Sequence, residues 1–96
     1  MKKRRFENIW NAIEVNAREA ANLRARSELM IALQEHLRAD KLTQARAAKL
    51  LGVTQPRVSD LMRGKIDLFS LETLIDMLAR VGAHVKLSVR FSKRAA

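Results

Sequence analysis

The apolar positions along the chain follow two different periods. Phe6, Ile9, Trp10 and Ile13 recur at helical spacing and predict a short amphipathic helix. Leu23, Met30, Leu33 and Leu37 mark one stripe of a longer helix from about Arg18 to Arg38, with Glu28 and Glu35 well off that stripe, and the polar stretch Ala39-Asp40-Lys41 closes it. A third helix, Gln44 to Leu51, buries Ala47, Ala48 and Leu51. Thr43 is its N-cap, since a threonine hydroxyl can accept from an unpaired N–H of the first turn, and Gly52 stops it. Thr54 caps the next helix, Gln55 to Arg63, with Pro56 in the first turn, where its missing N–H is harmless, and Gly64 ends it. Ser70 opens the last helix, whose inward stripe is Leu71, Leu74, Ile75, Leu78 and Val81. Glu72 lies in its first turn and Gly82 follows its end. From His84 to Phe91 the period drops to two: Val85, Leu87, Val89 and Phe91 alternate with His84, Lys86, Ser88 and Arg90, which predicts a strand.

The pattern predicts a mainly α fold, a bundle of about five helices with one C-terminal β-strand. Its length of 96 residues allows one domain with a modest core. The expected layout is a flexible basic arm over 1–5, a helical domain over 6–82, the strand over 83–91 and a flexible tail over 92–96. The stripe around Trp10 is expected to cover the core, with partner binding as its alternative. A lone strand leaves a row of N–H and C=O groups unpaired. Antiparallel pairing with a second copy through Val85, Leu87, Val89 and Phe91 would satisfy them and give a homodimer. Addition to the sheet edge of another protein and a frayed tail are the rival readings.

Charge narrows the partner. Lys and Arg number 19 against 10 Asp and Glu, a formal net charge of +9, which points to an anionic partner and most simply to nucleic acid. The excess is concentrated between Lys41 and Lys65, where Lys41, Arg46, Lys49, Arg57, Arg63 and Lys65 face Asp60 alone. The chain has no cysteine, so disulfides, thiolate metal sites and cysteine nucleophiles are excluded. His36 and His84 are far apart and no serine sits in a nucleophile motif, so neither an enzyme nor a metal or cofactor site is expected. No apolar run approaches the ~20 residues that cross a bilayer, so no membrane partner is expected. The basic start precedes no long apolar stretch, and a cytoplasmic location is expected. With so few aromatic residues, RNA is a weaker candidate than double-stranded DNA.

The segment TQARAAKLLGVTQPRVSDLMRG, Thr43 to Gly64, gathers these features into one unit. Its two short helices are joined by a glycine turn. Val53 plugs the turn, small residues lie at the crossing, and Val58 and Leu61 turn inward from the second helix. Pro56, Ser59, Asp60 and Arg63 then point outward, flanked by Gln55 and Arg57, a surface that the major groove can accept. Gln can make a bidentate contact with adenine and Arg with guanine. Asp60 is read as accepting from cytosine or pairing with Arg57 or Arg63. Arg46, Arg63 and Lys65, with Thr43 and Thr54 at the helix starts, are candidates for phosphate contacts. One such helix covers only a few base pairs, so a two-fold dimer on an inverted-repeat operator is expected.

Through Gln44, Ala48, Gly52, Val53, Thr54-Gln55, Val58 and Gly64, this segment resembles, without a gap, the helix-turn-helix of the Cro and phage-repressor family, often called Xre-type. The resemblance implies a Cro-like helical bundle. It also implies that Gln44 docks on a phosphate, that Gln55 reaches a base edge, and that Pro56, Ser59 and Asp60 face the groove. The flanks, above all SDLMRGKIDLFSLETL and the β-prone tail, resemble the HigA-like antitoxin branch of that family. That likeness implies a repressor of its own operon that also neutralises a RelE- or HigB-like toxin. The alternative is a stand-alone, prophage-type regulator with no toxin partner.

Overall fold

The computed structural model describes the backbone of residues 2–91 and the side chains of residues 16–91. Its order is α1 (Lys2–Ala39), α2 (Gln44–Leu51), α3 (Gln55–Met62), a 3-10 turn (Ile66–Leu68) and α4 (Leu71–Arg80). There are therefore four α-helices among the described residues rather than about five, because the two helices expected before Asp40 are one. No Gly or Pro lies between Lys2 and Ala39, and the supposed gap, Glu14 to Ala17, contains nothing that stops a helix. Lys2 to Arg5, expected as an arm, fall in the same helix, since Lys and Arg are good helix formers. The side chains of Phe6, Ile9, Trp10 and Ile13 lie outside the described residues, as does the expected tail over 92–96.

At about 1.5 Å per residue a helix of this length spans about 57 Å, and the molecule measures 57 × 30 × 17 Å. α1 therefore sets its long axis. Asn16 to Arg24 are all exposed, and Leu23, expected on the buried stripe, is 42% accessible. Among the described residues, side-chain hydrogen bonds from α1 to the rest of the fold begin with Arg26, whose guanidinium donates to the Ile66 carbonyl (3.1 Å). Further along, the Gln34 amide donates to the Leu61 carbonyl (2.8 Å). On the same face, Met30, Leu33 and Leu37 enter the core.

The core joins those three to Ala47, Ala48 and Leu51 of α2, Val58 and Leu61 of α3, Phe69, and Leu74, Met77 and Leu78 of α4. Leu33, Leu61 and Leu74 are wholly inaccessible, each worth about 1.5–3 kcal/mol over an exposed side chain. The hydroxyls of Thr43, Thr54 and Ser70 accept from the N–H groups of Arg46, Arg57 and Thr73, capping α2, α3 and α4 as their positions predict. At the turn, Gly52 has φ +68°, and the Arg80 guanidinium lies where its side chain would be, 2.7 Å from an added Cβ. The turn thus needs glycine for its backbone and for its closeness to α4.

The expected strand over 83–91 does not form: no residue of the stretch is in a strand, and no strand occurs among the described residues. The alternation is present in the sequence, but a strand is a ladder, and this chain offers no second segment to pair with. Val85 packs against the core, while Leu87, Val89 and Phe91 are 80%, 77% and 87% exposed. The segment walls an open groove over α1 and α4 that is lined by Ala25, Leu29, Leu71 and Ile75.

Candidate nucleic-acid interface

Two short helices present the candidate site. α2 and α3 meet at the Gly52 turn, where the Val53 N–H donates to the Ala48 carbonyl (3.0 Å). Burial of Val58 and Leu61 fixes the rotation of α3 about its axis. At about 100° per residue, the direction opposite those two is held by Pro56, Ser59, Asp60 and Arg63. Gln55 and Pro56 in the first turn and Arg63 at the end are exposed, while Ser59 and Asp60 are half-buried. Thr43, Gln44 and Arg46 form an exposed start to α2, and Gln44 lines a shallow pocket with Val58 and Met62 of α3. Thr43 and Thr54 accept as caps, yet each hydroxyl keeps a proton to donate to an anion.

Two arrangements differ from the sequence reading. The Asp60 carboxylate pairs with Lys65 (3.3 Å), and neither Arg57 nor Arg63 is its partner. The geometry explains the choice. After Met62 the chain turns at Gly64, with φ +74°, and the Lys65 N–H donates to the Asp60 carbonyl (3.1 Å), bringing the two residues together. Arg57, expected to face the bases, lies with its guanidinium carbon 3.9 Å from the centre of the Phe69 ring. Phe69 is buried and was not singled out from the sequence, because its FSLETL context shows a helix start but not what packs on it.

Sequence reasoning also missed the two bonds that tie α3 and its following turn to α1. Gln34 lies four residues after Met30 and three before Leu37, on the buried stripe, and its amide meets the Leu61 carbonyl near the end of α3. Arg26 lies four residues before Met30 and meets the 3-10 turn. A polar residue on an apolar stripe was the available signal for both.

Net charge, an exposed polar helix face and a glycine turn behind it are the features of a helix-turn-helix domain. A family profile described as "Helix-turn-helix domain" matches residues 13–90, and the chain belongs to that family. A solved structure described as an XRE family transcriptional regulator superimposes with a TM-score of 0.72 at 32% identity, covering 81% of this chain and 88% of that one. The chain is accordingly an Xre-type helix-turn-helix protein, a class of DNA-binding transcriptional regulators. No curated protein matches it. Among the described residues, no helix is long and apolar enough to cross a membrane, and no group of His, Asp and Glu could hold a metal ion.

Proposed function

We propose that the protein is an operator-binding repressor that reads an inverted repeat as a homodimer. The observation that carries this reading is the exposed first turn of α3. Gln55 and Pro56 stand clear of the core on a helix whose other side is anchored by Val58 and Leu61. In this reading Gln55 meets a base edge, and Pro56 offers an apolar surface to a thymine methyl. Ser59 and Asp60 line the groove beside them. Gln44, Arg46, Arg63 and Lys65, with the hydroxyls of Thr43 and Thr54, take phosphates. Footprinting on the DNA upstream of the protein's own gene tests this. Two protected half-sites about 34 Å apart are expected, and a single half-site bound by a monomer would count against the dimer.

The homodimer is proposed to form through the C-terminal segment. Leu87, Val89 and Phe91 are exposed apolar side chains on a segment outside any helix or strand, whose backbone groups are unpaired among the described residues, and Val85 begins the same row. A second copy supplies both a ladder and apolar cover.

The antitoxin role rests on the likeness of the flanks to the HigA branch, supported by the exposed stretch Asn16 to Arg24, which leaves helix surface for a protein partner. Co-purification with the product of the adjacent gene tests it. Capture of a small RelE- or HigB-like protein is expected, and its absence would favour the stand-alone regulator.

A further inference from the structure

From the stacking of Arg57 on Phe69 we infer that Arg57 is a phosphate clamp on one wall of the groove, held in position by Phe69, and not a reader of bases. The inference rests on the DNA-binding reading of α3.

Both ends of Arg57 are fixed. Its N–H donates to the Thr54 hydroxyl (3.4 Å), so its backbone belongs to the capped first turn. Its guanidinium lies over the Phe69 ring, with the carbon 3.9 Å from the centroid, and Phe69 is itself 1% exposed and locked in the core. A ring that cannot move is a fixed platform for the flat cation. The carboxylate nearest in sequence, Asp60, is taken by Lys65, and among the described residues no acidic group pairs with Arg57. One face of the guanidinium is covered, its N–H edge lacks an acidic partner, and the side chain is only half-buried. Such a pre-organised fork fits a phosphate oxygen pair and loses little freedom on binding it.

Direction decides between base and phosphate. A helix lying in the major groove meets bases along its outward line and the two sugar-phosphate walls along its flanks. Taking Val58 and Leu61 as inward and about 100° per residue, Pro56 lies on the outward line and Arg57 falls on a flank. Met62 falls on the opposite flank, where it lines a shallow pocket with Gln44 at the start of α2; Gln55 is a base reader by its place at the N-terminus of the helix, the end that leads into the groove. The Phe69 stack holds the Arg57 guanidinium over a ring that lies between the 3-10 turn and α4. Gln44 and Arg57 therefore flank the reading helix on opposite sides, one for each wall.

Fluorescence anisotropy with the full chain tests the assignment on two probes, a duplex enriched from a random library by the unaltered protein and a scrambled duplex of the same composition. Arg57→Ala is expected to raise Kd about 3- to 10-fold on both and to reduce the salt slope by about one between about 50 and 200 mM salt. The ranking of single-base variants of the selected duplex should stay the same. Arg57→Lys should keep the slope and lose part of the affinity, since an ammonium lacks the flat fork. Phe69→Leu, verified as folded by circular dichroism, should keep the slope and raise Kd several-fold on both probes, because the cation remains but is no longer held. A changed ranking at one base pair in Arg57→Ala would make Arg57 a base reader. An unchanged slope in Arg57→Ala would make the stack purely structural. Either result overturns the clamp while leaving DNA binding by α3 intact. Absence of salt-dependent binding by the unaltered protein would instead overturn the underlying reading, and the clamp with it.

Discussion

Gln55 and Lys65 are both exposed polar residues of the helix-turn-helix, and the proposed function gives them different roles. Gln55 is the first residue of α3, where an amide can meet a base edge, so Gln55→Ala should weaken binding to the selected duplex by roughly 1–3 kcal/mol and leave scrambled DNA nearly unaffected. Equal losses on both would remove its specificity role. Lys65 is held by Asp60 at 3.3 Å and must share its charge with that carboxylate before it meets a phosphate. Asp60→Asn should therefore strengthen binding to scrambled DNA at low salt, and the gain should fade as salt is raised, since both groups are partly exposed and screened. An unchanged or weakened affinity would mean that Lys65 does not reach phosphate. The inward residues of α2 and α3 were legible from spacing alone, as were the three capping hydroxyls. The pairings were not, because they depend on the turn at Gly64 and on the packing of Phe69, which join residues that periodicity leaves unrelated.

At the scale of elements, α2, α3 and α4 were readable because each begins at a Ser or Thr cap and is followed closely by a glycine. Gly52→Ala tests that turn. The αL backbone opposes a Cβ by about 1–2 kcal/mol, and Arg80 must move as well. Urea unfolding should show a loss of at least that size, and a loss of a few tenths would mean that the turn relaxes freely. The bond from Gln34 to the Leu61 carbonyl should contribute about 1 kcal/mol, so Gln34→Ala should lower the unfolding free energy by about that amount. Two elements read differently in the sequence. α1 was split because its apolar stripe fades over an Ala-rich stretch, although helix formers without a breaker continue a helix whether or not a stripe continues. The segment after Gly82 was read as a strand from alternation, which selects a face but cannot supply a ladder.

For the molecule as a whole, the +9 charge and the proposed homodimer have complementary parts: charge would draw the chain to DNA, and two reading helices together would give selectivity. Deleting residues 85–96 should give a monomer by sedimentation equilibrium, with helix content retained and much weaker binding to the selected duplex. A truncated chain that stays dimeric would move the interface to another surface. The central claim, that α3 reads DNA sequence as one half of a symmetric pair, is tested most directly by enrichment of randomised duplexes on the full-length protein. An inverted repeat with half-site centres about 34 Å apart is expected, and an enriched pool indistinguishable from its input would show that α3 does not read sequence.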